Sequence, residues 1–183
     1  MTRSAIQRVA VVGAGAWGTA LARHLAEKQM AVSLWAHEPE VVHSIAQRRE
    51  NALYLPGVRL PLTLTATNVL SEALTGTDCV LFAVPSHVAR PVLGRVGPLL
   101  PEAVPFVSAT KGIEETTLDL MTQVMQEALP AHMRNSLMVL SGPSFASEVS
   151  QGKPTALCLA GQDSDRVKSM QALFMTPSFR VYA

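Results

Sequence analysis

Gly13-Ala14-Gly15-Ala16-Trp17-Gly18 is the stretch on which the fold turns. Arg8-Val9-Ala10-Val11-Val12 precedes it, a short valine-rich apolar run that reads as a buried strand. Thr19 to Lys28 follows, with Leu21, Leu25 and the alanines at helical spacing. The glycines therefore sit on a strand-to-helix turn. Gly13 permits the tight turn, Gly15 lets a pyrophosphate approach the backbone, and Gly18 lets helix and strand pack closely. The helix start offers unpaired N–H groups and a partial positive charge to a phosphate. Glycine turns are common in ordinary packing; the strand before and the helix after favour dinucleotide binding over that reading.

The chain has 183 residues, 48 % of them hydrophobic and 16 % charged, enough to bury the core of a single α/β unit and too apolar for a disordered chain. Net charge is +1, and the 15 basic residues are scattered without a basic stripe or interleaved aromatics, so nucleic acid is not an expected partner. Cys79 and Cys158 lie in apolar runs without metal-ligand spacing and read as inert core residues, which suits a reducing compartment. No apolar segment has the length of a signal peptide or of a membrane span, so the expected location is the cytoplasm.

Outward from the glycine turn, strands and helices alternate. Ala31–Ala36 reads as the second strand, and Pro39 opens a helix from Glu40 to Arg49. Residues 51–67 read as an extended connection with a short strand at Leu62–Thr65, and Val69–Leu74 as a short helix ended by Gly76. Asp78–Val84 is a buried strand. The helix after Pro85-Ser86-His87 carries Val88, Val92 and Leu93, with Pro91 in its first turns. Pro105–Thr110 is the next strand. Thr116 with Asp119 reads as a capping box for a helix that places Leu118, Met121, Met125 and Ala128 on one face. Ser136–Ser141, Thr155–Ala160 and Phe179–Ala183 read as later strands, with Val167, Met170, Leu173 and Phe174 on one helix face between the last two. This alternation predicts a doubly wound, mostly parallel sheet with helices on both faces.

In a parallel sheet, Gly13, His37, Pro85, Lys111 and Gly142 all follow carboxyl ends of strands, the edge where such sheets bind ligands. His37 has two readings, a contact to an adenosine ribose or its 2′-phosphate, or a solvated loop histidine. Glu38 reads as a helix N-terminal residue rather than a ribose ligand. Of four lysines, only Lys111 sits at a strand end beside a glycine, where it is either a surface charge or a group that attracts an anionic substrate or polarises a carbonyl. Gly142-Pro143-Ser144-Phe145-Ala146 reads as a turn into a helix with Ser144 near the N-cap, or as a holder of a polar substrate. Nothing nearby orients His87, which reads first as structural or cofactor-edge. There is no Ser-His-Asp arrangement, zinc ligand set or P-loop.

Taken in order, Gly13-Ala14-Gly15-Ala16-Trp17-Gly18-Thr19-Ala20-Leu21-Ala22, Leu34-Trp35, Val84-Pro85-Ser86-His87, Ala109-Thr110-Lys111-Gly112 and Ser141-Gly142-Pro143-Ser144-Phe145-Ala146 resemble the bacterial NAD(P)-dependent glycerol-3-phosphate dehydrogenases. The resemblance covers essentially the whole chain, to Phe179-Arg180-Val181-Tyr182. It implies a Rossmann-like domain over residues 1–183 that binds NADP or NAD, in an enzyme reducing dihydroxyacetone phosphate to sn-glycerol 3-phosphate for glycerophospholipid synthesis. It also implies that Ala16, Trp17, His37 and Ala146 contact the cofactor, alongside Gly13, Gly15, Gly18 and Pro85. Lys111 would contact cofactor and substrate, and Gly142 and Ser144 the substrate.

The sequence departs from the family in three ways. Ala16 stands where the family often has serine, so one hydroxyl contact to phosphate is lost. The first helix ends in Glu27-Lys28-Gln29-Met30, where a glycine near the C-cap is common. The family continues beyond Ala183 into a helical domain with the catalytic lysine, so no catalytic residue is expected within these residues and turnover by this chain alone is not expected. The apolar face that such a domain covers makes association, including a homodimer, compatible with the sequence. Two further readings stay open: a dinucleotide-binding module without catalysis, and a related keto-acid or hydroxy-acid reductase.

Overall fold

The computed structural model describes residues 6–101 and 103–183. Its first element is the expected strand β1 (Arg8–Val12), and helix α1 (Ala16–Glu27) starts inside the glycine turn. β2 (Ala31–Trp35), α2 (Pro39–Arg48), β3 (Leu64–Thr67), α3 (Leu70–Leu74) and β4 (Cys79–Phe82) follow. Then come α4 (Ser86–Val96), β5 (Phe106–Ser108), α5 (Met121–Ala128), β6 (Leu137–Ser141), α6 (Ala146–Ser150), β7 (Thr155–Gly161), α7 (Ser164–Phe174) and β8 (Phe179–Tyr182). They form one sheet in the order β3-β2-β1-β4-β5-β6-β7-β8. β1 to β6 are parallel; β7 pairs antiparallel with β6, and β8 pairs parallel with β7.

The strand period sorts the core into two layers. Val9, Val11, Val32, Leu34, Cys79, Leu81, Val107, Met138 and Leu140 face one way, packed with Leu21 and Leu25 of α1 and Met170 and Phe174 of α7. Ala10, Val12, Trp35, Val80, Phe82 and Phe106 face the other, packed with Leu93 of α4 and Met125 of α5. Helices thus cover both faces of the first six strands. β7 and β8 are covered on one face only: Leu157 and Val181 point inward, while Cys158, Arg180 and Tyr182 are exposed.

That alternation corrects the reading of Cys158 as a core residue: it lies on the open face between buried Leu157 and Leu159. Cys79 is buried, and burial pushes its thiol up to about 12, so it is chemically inert. β3 starts two residues later than predicted because a turn closed by the Leu64 N–H on the Pro61 carbonyl (3.1 Å) occupies the preceding residues, and Leu62 is exposed. α4 starts at Ser86, so Pro91 is its sixth residue, beyond the first turn; the His87 carbonyl loses its intrahelical donor there. Thr116 and Asp119 do not cap α5. The helix begins at Met121, and the Gln123 side chain accepts from the Leu120 N–H (2.9 Å). Leu118 lies outside the helix, 71 % exposed at φ 63°, instead of sharing the face of buried Met121 and Met125.

The end of α1 makes two bonds that turn the chain into β2. The Gln29 N–H donates to the Ala26 carbonyl (3.0 Å) and the Met30 N–H to the Leu25 carbonyl (3.3 Å). This closure holds Gln29 left-handed, at φ 65°. A side chain there costs about 1 kcal/mol that glycine avoids. Gln29→Gly is therefore expected to raise the thermal midpoint by about 2–4 °C, read by calorimetry; an unchanged or lower midpoint would show that the side chain compensates.

Candidate functional site

Because β1, β2, β4, β5 and β6 run in one direction, Gly13, His37, Pro85, Lys111 and Gly142 all emerge at one edge of the sheet. The chain winds from β1 out to β3, then crosses back to β4 on the other side of β1. A crevice opens at such a reversal, between the ends of β1 and β4. Here it is a cleft of about 510 Å³, walled by Gly13–Gly15, Trp35, His37, Tyr54, Pro85 and Arg95 among others.

The glycines of the turn have three different surroundings. Gly13 is at φ +111°, and a Cβ there would come 2.7 Å from the Ala83 carbonyl oxygen of the neighbouring strand end. A Cβ on Gly18 would come 1.9 Å from the Gly13 carbonyl oxygen, so helix and turn touch with no room for a methyl group. A Cβ on Gly15 would meet nothing within 4 Å, because this residue faces the open cleft. α1 begins directly behind it. Its N-cap is Gly15, without a side-chain cap, and no acidic residue lies in its first turn. The first helical bond runs from the Thr19 N–H to the Gly15 carbonyl (2.9 Å), so the amides before it are left for another acceptor. This is an uncompensated positive helix end lying against a cradle without side chains, which suits a phosphate.

Asn51 sets the far side of the turn. Its buried amide donates to the Ala14 carbonyl and to Thr19 Oγ1, both at 2.8 Å, while the Tyr54 N–H donates back to Asn51 Oδ1 at 3.1 Å. The loop after α2 is thereby tied to the glycine turn and puts Tyr54 into the cleft wall. Tyr54 donates its hydroxyl to Glu38 Oε1 (3.0 Å), and this bond raises the phenol above its ordinary pKa. Glu38 is the N-cap of α2 and makes no side-chain capping bond. His37 is exposed, its ring 6.1 Å from that of Trp35, and the Arg95 guanidinium lies 5.5 Å from the Trp35 ring. His87 also lines the cleft, without a hydrogen-bond partner among the described residues.

A second cluster sits beside the cleft, over the ends of β5 and β6. The Trp17 indole donates to the Ala109 carbonyl (3.1 Å), and Lys111 Nζ lies 5.0 Å from the Trp17 ring centroid. Lys111 also donates to Ser144 Oγ (3.0 Å), and the Ser144 hydroxyl donates to the Gly142 carbonyl (3.2 Å). Ser144 is not the N-cap of α6; Phe145 holds that position and Ala146 is the first helical residue. Lys111, Gly142 and Ser144 thus meet one another and Trp17, while Gly13, Gly15, His37 and Pro85 meet around the cleft. Lys111 has no carboxylate partner among the described residues. The Thr110 hydroxyl beside it is buried without a hydrogen-bond partner.

The segment carrying Lys111 is pinned to α4. Buried Glu114 receives Arg90 Nε (2.9 and 3.1 Å), Arg90 Nη2 (2.8 Å) and the Thr117 hydroxyl (2.6 Å). Arg90 also reaches Glu127 of α5 at 2.7 Å and Asp119 at 3.6 Å. These bonds hold the Glu114 carboxyl at about 2 and raise the Arg90 guanidinium.

Asn51, Tyr54, Arg95, Arg90 and Glu114 were not singled out from sequence. Asn51 and Tyr54 lay in a stretch read only as a connection, and Arg90 with Glu114 in a helix and loop read for their apolar residues. Among the described residues no group of three or more His, Cys, Asp or Glu side chains is placed to hold a metal ion, and no helix is long and apolar enough to cross a membrane.

Residues 8–167 match the family model described as NAD-dependent glycerol-3-phosphate dehydrogenase N-terminus. Two curated relatives are the glycerol-3-phosphate dehydrogenases [NAD(P)+] of Geobacter sulfurreducens, 48 % identical over 96 % of this chain and 52 % of the relative, and of Koribacter versatilis, 46 % identical over 97 % and 53 %. The crystal structure of glycerol-3-phosphate dehydrogenase from Coxiella burnetii superposes with a TM-score of 0.88 at 34 % identity, over 97 % of this chain and 53 % of that one. The chain spans about half the length of the curated relatives it matches.

The Glu114 anchor makes a pH-dependent contribution of known sign. Its carboxyl is depressed from 4.5 to about 2, so its stabilisation is complete above the ordinary value and is lost as pH falls from there towards about 2. In thermal melts from pH 6 to pH 2, the gap between the parent chain and Glu114→Gln is expected to narrow below pH 4.5. A gap independent of pH would show that the carboxylate charge does not hold the segment.

Proposed function

Because the chain belongs to the family of NAD-dependent glycerol-3-phosphate dehydrogenase N-termini, we propose that it binds NADP or NAD in the cleft between β1 and β4 and serves as the cofactor-binding part of an enzyme reducing dihydroxyacetone phosphate to sn-glycerol 3-phosphate. One observation carries this reading: Gly15 is open to the cleft where a Cβ would meet nothing, directly ahead of an uncapped helix start. That cradle fits the pyrophosphate, whose charge meets the free amides and the positive end of α1. The adenosine half extends towards Trp35, His37, Tyr54 and Arg95, and Pro85 closes the opposite wall.

When bound, the reduced nicotinamide supplies the hydride for the substrate carbonyl. The chain's own contribution is position and charge. Lys111, unpaired with any carboxylate among the described residues, attracts the anionic substrate and polarises its carbonyl oxygen. Ser144 and the Gly142 backbone hold substrate hydroxyl groups, and Trp17 and Ala146 flank the cofactor. Lys28, Lys153 and Lys168 lie outside both clusters. The proton that completes the alcohol is assigned, as the resemblance to the family implies, to a lysine outside these 183 residues.

Gly15→Val tests the carrying observation. The added side chain points into the cleft and not into the core, so the variant is expected to fold while losing at least about 100-fold in NADPH affinity by calorimetry. Unchanged affinity in a folded variant overturns the reading. The adenosine end gives a second expectation. Glu38 accepts the Tyr54 hydroxyl, and His37 and Arg95, whose side chains can donate to a 2′-phosphate, line the same cleft. NADPH should bind at least as tightly as NADH, and His37→Ala should narrow any advantage. A strong NADH preference indifferent to His37 would contradict it.

A further inference from the structure

Lys111 is held by weak partners. Its ammonium meets an indole face, a hydroxyl and, at 3.4 Å, the Ser144 carbonyl, all neutral. Its backbone belongs to a segment between β5 and α5 whose only ladder contact is an isolated bridge between Ile113 and Leu120. Neither the side chain's own contacts nor regular secondary structure fixes where the amino group stands. Three residues on, Glu114 is fixed from every side. Its N–H donates to the Asp119 carbonyl (3.0 Å), its carbonyl accepts from the Leu118 N–H (2.9 Å), and its carboxylate takes the fork of Arg90 and the hydroxyl of Thr117.

Arg90 sits on α4 between the residues of that helix that wall the cleft: His87 and Val88 precede it, and Pro91, Val92 and Arg95 follow it. One guanidinium therefore joins the cleft wall, the Lys111 segment and, through Glu127, helix α5. An ion pair whose arginine is 34 % exposed is a poor device for stability alone, because solvent screening and the desolvation of its carboxylate offset most of its attraction. It does fix geometry, since the planar fork accepts a carboxylate in one orientation.

On the proposed cofactor reading, we infer that Arg90 is a positioning residue that acts through Glu114 to hold Lys111 over the ends of β5 and β6, where its ammonium meets the bound dinucleotide. Without the fork, a segment with about 3.5 Å of reach per residue lets Lys111 leave the Trp17 face. Arg90 itself touches neither cofactor nor substrate.

A double-mutant cycle on the 183-residue chain tests this, with NADPH and ADP as ligands and circular dichroism as the check on folding. Lys111→Met and Arg90→Met are each expected to weaken NADPH about tenfold, and the double variant no more than Lys111→Met alone, because both remove one contact. ADP reaches the glycine turn but not Lys111, so its affinity should be unchanged in Arg90→Met. Arg90→Lys, which keeps the charge without the fork, should recover only part of the loss. Additive losses, an equal loss for ADP, or no loss in folded Arg90→Met overturn the positioning role. If Arg90→Met does not fold, Glu114→Gln is expected to give the same coupled pattern at smaller amplitude, and additivity there is equally fatal. If the parent chain binds neither ligand, the cofactor reading fails. The positioning role is then decided by ligand-free tryptophan emission: Lys111→Met defines the change when the ammonium leaves Trp17, and Arg90→Met must reproduce it.

Discussion

The contact on which this molecule depends is the approach of α1 to the turn that launches it. The Gly13 carbonyl oxygen occupies the volume that any side chain at position 18 would need, 1.9 Å from where its Cβ would lie. Helix and turn can come this close only because residue 18 lacks a Cβ. The consequence is geometrical. With α1 starting at Ala16, directly behind the end of β1, its unpaired amides lie at the mouth of the crevice between β1 and β4 instead of above solvent. Asn51 then reinforces the turn from the other side by holding the Ala14 carbonyl, which leaves the amide side of the turn facing outward.

Much of this was legible in the sequence because its causes are local. Val9–Val12, the glycine spacing and the leucines of α1 each report on neighbours within a few positions, and a parallel sheet then carries five separate strand ends to one edge. Where the reading failed, the deciding partner was distant or the local pattern had two solutions. Cys158 sits in an apolar run, but an edge region covered on one face turns every second residue outward. Thr116 and Asp119 have capping-box spacing, yet the loop they belong to is spent on closing around Glu114, and the helix waits until Met121. Pro91 reads as a proline of the first turns, where a missing N–H costs little; α4 begins at Ser86, so Pro91 is its sixth residue and already deprives the His87 carbonyl of a donor.

The candidate site divides along the same line. Gly13, Gly15, His37, Pro85 and Lys111 follow from strand order alone. Asn51, Tyr54 and Arg95 do not, because nothing in residues 49–55 or at the end of α4 reveals that both stretches fold over the end of β2. Their roles depend on contacts across 32 and 37 positions for Asn51, and on the meeting of α4 with Trp35 for Arg95.

The distribution of charge along the functional edge follows from the chemistry of the two cation types. Arg90 is surrounded by Glu114, Asp119 and Glu127, three carboxylates around one guanidinium, and has nothing left to offer a ligand. Its rigid fork is used where a fixed angle matters. Lys111, one segment away, is surrounded by neutral groups and has no carboxylate partner among the described residues. Exchanging the two would fail at both places: a lysine at 90 has no fork to orient Glu114, and an arginine at 111 would need planar partners that Ser144 and Trp17 supply only in part. Glu38 follows the same logic with opposite sign. Its carboxylate at the end of β2 accepts the Tyr54 hydroxyl, and it lines the cleft together with His37 and Arg95. Along this edge the arginine charge is thus spent on fixing one loop against two helices, while the lysine charge is left among neutral groups.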